Sequence, residues 1–209
     1  MTTELDRAYD FTIEGFGSAL RLKDAGTEGH SKRVTAFSIA IARAMGLPRD
    51  QVAVIARGAF LHDIGKIAIP DGILCKPGPL TADESMVMRQ YVHRGYEIVE
   101  AIPFLVNAAE IVYAHQERYD GSGYPRGLKG EEILLGARLV AVANSLDEIT
   151  SDLPYRPARS LRDAYREIGL WSGRQFDPKI VQTLLSMPDN AWSDIGAAIR
   201  LQRPASSTG

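Results

Sequence analysis

Apolar residues recur every three or four positions along almost the whole chain, a period that helices satisfy and strands do not. Residues 3–23 read as a first amphipathic helix. Val34, Phe37, Ile41 and Ala44 form the stripe of a second helix, over 28–45, which Gly46–Leu47–Pro48 ends. Asp50 is placed to cap a third, with Val52, Ile55, Ala56, Ala59 and Phe60 on its buried face. Residues 67–80 hold three prolines and two glycines and read as a structured loop. The capping-box pattern Thr81 to Glu84 starts a helix predicted to run to 101, and Pro103 opens another whose stripe includes Leu105, Ala108, Val112 and His115. A glycine-rich loop at 116–130 is followed by helices over 133–150, 160–170 and 178–187. No segment alternates as a strand does. The expectation is an all-α fold: one bundle-like domain over 25–190, an N-terminal helix at 1–24 and a C-terminal tail at 191–209.

Several function classes are disfavoured by the totals. With a net charge of −2 over 209 residues, there is no global basic signal for nucleic acid or anionic membrane. An anionic ligand therefore needs local cations. The single cysteine, Cys75, cannot form an internal disulfide and suits a reducing compartment. No apolar run is long enough to span a bilayer, and the acidic start lacks the pattern of a secretory signal. These features predict a soluble cytoplasmic domain.

The polar residues on the apolar stripes carry the chemistry. The chain has four histidines, at 30, 62, 93 and 115, too far apart in sequence for a short zinc motif. Their helical phase is more informative. His30 continues the Val34–Phe37 stripe, His62 the Ile55–Ala59 stripe and His115 the Val112 stripe. Asn144 and Asp147 lie on the buried face of the 133–150 helix, and His93 sits near the edge of its own. Each histidine alone reads more readily as a hydrogen-bonded core residue than as a ligand, and Lys66 could simply pair with Asp63. Burying a carboxylate such as Asp63 is costly without a partner, however, and the set together points to a metal cluster. A carboxylate bridging two metals is a standard device for phosphoester hydrolysis, and mixed imidazole and carboxylate ligands suit Fe or Mn as well as Zn. The stretch Asp120–Gly–Ser–Gly–Tyr–Pro125 can take unusual backbone angles and then stiffen, as a plain turn or as the rim of a ligand site.

In order along the chain stand GHSKRV (29–34), HDIGK (62–66), HRGYEIV (93–99), HQERYDGSGYPRGLKGEEI (115–133) and TSDLPYRPA (150–158). Together they resemble the HD-GYP domains, the branch of the HD phosphohydrolases that hydrolyses bacterial cyclic dinucleotides. The resemblance covers 5–187 and implies an all-helical HD bundle with an extended GYP loop. It implies opening of cyclic di-GMP to pGpG, and in some members to GMP. It implies two divalent metals, Fe or Mn foremost, with Zn, Ni or Mg as alternatives. By position, His30, His62, Asp63 and Asn144 would hold one metal. Asp63 would bridge to a second, held also by His93, His115 and Gln116. Lys66 would contact the scissile phosphate and Arg156 a phosphate from the following loop. Gly123, Tyr124 and Pro125 would shape the substrate mouth and offer a contact for diguanylate cyclase domains. An upstream sensor domain, and a homodimer through the N-terminal helix, are further expectations.

The chain departs from the family pattern in places. Gln116 replaces the second histidine of His-His-Glu, Asn144 replaces an aspartate, Leu153 replaces an arginine, and Gly26 stands where three-metal members carry a glutamate. Asp147, one turn after Asn144, is a candidate substitute. These changes support a rival expectation: a weak or inactive module that binds a cyclic dinucleotide or a cyclase. A different phosphoester substrate is a third.

Overall fold

The computed structural model describes residues 4–23, 29–152, 156–188 and 192; Gly26, Leu153 and nearly all of the tail lie outside the described residues. Ten α-helices and no strand make up the described chain: α1 (Glu4–Lys23), α2 (His30–Ala44), α3 (Arg49–Leu61), α4 (Asp71–Leu74), α5 (Ala82–Arg89), α6 (Tyr91–Glu100), α7 (Val106–Ala114), α8 (Leu135–Thr150), α9 (Leu161–Leu170) and α10 (Pro178–Ser186). The all-α expectation holds.

At the centre of the bundle is α8. Ala137, Leu139, Val140, Val142, Ala143 and Leu146 are fully buried around it, as expected for a helix apolar on nearly every side. The larger core packs α8 against α2, α3, α9 and α10 through Val34, Ile41, Ile55, Ile168, Ile180 and Leu184. A smaller core joins α1, the end of α3, α6 and α7 through Leu20, Leu61, Ile64, Val99, Leu105 and Val112. Asp177 caps α10 by accepting from the Lys179 amide and pairs with Arg138 of α8, which fastens the two helices.

Three boundaries differ from the sequence expectation. Pro48, not Asp50, occupies the cap of α3; Asp50 sits in the first turn, where its charge suits the helix dipole. The proline-rich loop contains a 3-10 helix at Ile64–Ala68 and the short α4. The helix predicted over 81–101 breaks at Gln90. Its first part, α5, begins with the predicted capping box but buries no residue, whereas α6 turns inward and buries Tyr91, Val92, Gly95 and Val99. That break decides which side chains of α6 reach the site.

Gly65 brings the end of α3 and α6 together. A Cβ there would lie 1.9 Å from the Tyr91 carbonyl oxygen and 2.4 Å from the Gly95 nitrogen, so no other residue fits. The turn that carries His62, Asp63 and Lys66 is thereby pressed onto α6.

Candidate active site

The site forms where helix ends meet the face of α8. His62 directly follows α3, His115 directly follows α7, and His30 is the first residue of α2. Helix ends leave backbone groups unpaired, and two of the histidines use them. His62 Nδ1 donates to the Ala59 carbonyl at 2.7 Å, and His115 Nδ1 to the Val112 carbonyl at 2.8 Å. His30 Nδ1 instead meets Asp147 Oδ2 at 2.7 Å. In all three rings Nδ1 is committed, so each ring, when neutral, presents a lone pair at Nε2.

Two of those lone pairs face each other. His30 Nε2 and His62 Nε2 are 3.3 Å apart, and Asp63 Oδ2 lies 3.8 Å and 3.4 Å from them. With both rings neutral two acceptors would face each other, so this arrangement asks for a cation, either a proton on His30 or a metal ion. Ligands at ~2.05 Å around a tetrahedral ion are separated by about 3.3 Å, close to these edges. Among the described residues these three form the one His/Cys/Asp/Glu group compact enough to hold a metal. Asn144 adds a further donor. Its side-chain nitrogen donates to Glu148 Oε1 at 3.0 Å, which leaves Oδ1 buried without a partner. These residues fit one ion.

The charges agree with that use. Burial opposes ionisation of Asp63, yet His62, Lys66, His30 and His115 together hold its carboxyl far below the usual carboxylate range. Burial pushes His62 down, and drives His115 down to about 3, so both stay neutral at pH 7. Burial also lowers His30, but the Asp147 hydrogen bond and the charges of Asp63 and Asp147 outweigh it and leave it raised. Lys66 Nζ donates to Asp63 Oδ2 at 2.7 Å. Asp147 is not a substitute ligand. It receives Arg33 Nε at 2.5 Å and Nη2 at 3.1 Å while orienting His30, the carboxylate–histidine arrangement common behind metal ligands.

On the other side of His62 the arrangement changes. The His115 ring lies 5.1 Å from that of His62, but its Nε2 is bonded to the Tyr91 hydroxyl at 2.8 Å. Gln116 Nε2 donates to the same hydroxyl at 2.8 Å, and Tyr124 also hydrogen-bonds Tyr91. Burial holds the Tyr91 phenol well above its ordinary value, so it stays protonated.

The loop that follows is clamped from within. Glu117, 4% exposed, accepts from the amides of Arg126 at 2.7 Å and Leu128 at 3.1 Å. Gly123 folds back against residues 116–118, where a Cβ would come within 2.3 Å of the Arg118 nitrogen. Arg118 reaches Gln175, and the Tyr119 and Asp120 amides bond to the carbonyls of Gln175 and Arg174, which ties the loop to the turn before α10. Gly123, Tyr124, Gln116, Asn144, Arg89 and Arg118 are among the residues lining a cavity of 250 Å³ that reaches His115. Pro125 is exposed on the loop beside it.

Two expected site residues are elsewhere. His93, expected as a ligand, is not brought to the cluster: on α6 the buried positions are Tyr91, Val92, Gly95 and Val99, and His93 faces outward. It pairs with Glu97 at 3.4 Å and stacks near Tyr113. Arg156, expected as a phosphate contact, is engaged with backbone instead. Its guanidinium donates to the Glu148 carbonyl at 2.7 Å and the Ile149 carbonyl at 3.2 Å, capping the end of α8. Sequence reasoning missed Tyr91 and Glu117. Tyr91 stands four residues before Gly95 on the buried stripe, a phase that was readable once α6 was known to start after Gln90.

A buried His-His-Asp cluster in an all-helical bundle defines a metal-binding HD fold, and the chain belongs to the HD domain family, which matches residues 17–180. Its HD-GYP character is borne out by its relatives. It is 42% identical over 184 residues to the cyclic di-GMP phosphodiesterase response regulator RpfG of Xanthomonas campestris pv. campestris, covering 87% of this chain and 49% of that protein. It is 44% identical over 167 residues to a cyclic di-GMP phosphodiesterase of Thermotoga maritima, covering 79% of this chain and 45% of that protein. Its fold matches that of V-cGAP3, a cyclic GMP-AMP-specific phosphodiesterase of Vibrio cholerae. The TM-score is 0.71 over 93% of this chain and 53% of that one, at 19% identity, a likeness of fold alone. The chain spans about half the length of the curated relatives it matches. No helix among the described residues is long and apolar enough to cross a membrane.

Proposed function

We propose that the chain is a metal-dependent phosphodiesterase that hydrolyses cyclic di-GMP to pGpG, with Fe or Mn as its metal. The observation that carries this is the triangle of His30 Nε2, His62 Nε2 and Asp63 Oδ2, with Lys66 beside it and a cavity that reaches His115, whose ring lies 5.1 Å from that of His62. An ion held there would polarise a phosphoryl oxygen and lower the pKa of a bound water toward neutrality. The protein's own groups do the rest. Asp147 and the Ala59 carbonyl keep both imidazoles in the ligating tautomer. The Lys66 ammonium meets the charge that develops on the phosphate. Arg89 and Arg118 on the cavity wall offset the second phosphate of a cyclic dinucleotide, and Tyr124 offers a ring face to a base. Hydrolysis adds water across one phosphodiester: a P–O bond forms, the P–O3′ bond breaks, and the 3′ oxygen takes up a proton. Cys75, exposed and alone, suits a reducing compartment, and the cytoplasm is the proposed location. Cyclase docking at the GYP loop and pairing of α1 helices remain part of the same proposal.

The test is conversion of cyclic di-GMP by the purified chain with Mn²⁺ or Fe²⁺. Turnover to pGpG that is lost in His62→Ala supports the reading; no turnover with either metal, with and without oxygen, contradicts it. A second reading, a module that binds the nucleotide without cleaving it, draws on one feature: Asn144 puts a neutral amide where the family carries a carboxylate. Calorimetry that finds tight binding of cyclic di-GMP without product would favour it.

A further inference from the structure

We propose that this chain is built for a single metal ion, at His30, His62 and Asp63, and that Tyr91 fills the place a second ion would take. The inference rests on the phosphodiesterase reading above and corrects its expected metal count.

Three groups meet the Tyr91 hydroxyl, His115, Gln116 and Tyr124, and its one proton and two lone pairs account for them. A phenol has one proton, and His115 Nε2 is an acceptor because its Nδ1 proton is committed to Val112. The phenol proton therefore goes to His115. The Tyr91 oxygen is then an acceptor, which fixes Gln116 with its NH₂ group inward. Turning the Gln116 amide over would put two acceptors against one proton. So His115 has given its lone pair to a phenol, and Gln116 points donors, not a carbonyl, at the centre. Neither is free to ligate without dismantling the other's bond. The contrast with the first position is direct: there His30 Nε2 and His62 Nε2 lie 3.3 Å apart with Asp63 beside them, a spacing that suits a shared ion.

Charge leads to the same count. Two divalent ions need several anionic ligands near them, and the carboxylate with an oxygen in the cluster is Asp63, already bonded to Lys66. Asp147 is turned to Arg33 and His30. One ion is also chemically sufficient, because hydrolytic metal sites commonly use three protein ligands and keep a fourth position for water.

The test is metal content. The purified full chain is loaded anaerobically with Fe²⁺, or with Mn²⁺, desalted, and its metal measured per chain. One ion is expected, and one is still expected in Tyr91→Phe. The double variant Tyr91→His, Gln116→His, which supplies two imidazoles in place of the closed network, is expected to rise towards two. Two ions in the unaltered chain overturn the inference, as does a double variant that keeps the native helical circular dichroism and still binds one. The two proposals fail separately. One ion without turnover removes the phosphodiesterase reading alone, two ions with turnover remove this inference alone, and no ion removes both.

Discussion

His62 and His115 are built alike and end up doing different things. Each directly follows a helix, each donates Nδ1 to a carbonyl three residues back, and each is almost fully buried. What differs is the group opposite Nε2. His62 faces His30 and Asp63, and the result is a cluster compact enough to hold a metal ion. His115 faces a phenol, and the result is a closed hydrogen-bonded network that reaches through Tyr124 to the GYP loop. The role of a histidine in this fold is therefore set by its neighbour across the helix interface, not by its own backbone setting.

The harshest way to break the comparison is Asp63→Ala. It removes the anionic donor from the His62 side only. Metal affinity, measured by titration calorimetry, should fall by at least 1,000-fold, since a direct ligand loss exceeds the roughly 10–100-fold typical of supporting groups. Unchanged affinity would mean the triangle is not the site. Gly65→Ala acts on both sides at once, because Gly65 presses the Asp63 turn onto the Tyr91 backbone. Overpacking against rigid backbone should cost about 3 kcal/mol in urea unfolding.

Asp147→Asn sharpens the comparison. It weakens the grip on His30 Nδ1 and leaves the His115 side untouched, so metal affinity should drop roughly 10–100-fold, with a stability loss of about 2 kcal/mol from the weakened Arg33 pair. A loss confined to stability would show that Asp147 serves Arg33 alone. Glu117→Gln tests the closed side. It halves the acceptors that hold the Arg126 and Leu128 amides. The expected cost is about 1 kcal/mol, read as faster hydrogen exchange over 118–130 with metal affinity unaltered.

Much of this was legible in the sequence. The 3.6-residue period gave the helices, the Thr81–Glu84 box gave the start of α5, and the phase of His30, His62 and His115 brought all three inward. What stayed hidden depended on direction rather than period. Reading 81–101 as one helix left the phase of α6 loose and Tyr91 unnoticed, while the family resemblance alone implied His93 as a ligand; in the structure His93 faces outward and Tyr91 faces the site. Arg156 looked available for phosphate because nothing in its neighbours shows that it caps α8. The orientation of the Gln116 amide is set by Tyr91, 25 residues away in sequence, which no local pattern records.

The most direct test is anomalous diffraction from crystals of the Mn²⁺-loaded or Fe²⁺-loaded chain. The account predicts one peak, bounded by His30 Nε2, His62 Nε2 and Asp63, with Tyr91 still bonded to His115. A second peak roughly 3.5–4 Å away, beside a His115 that has released Tyr91, would contradict it.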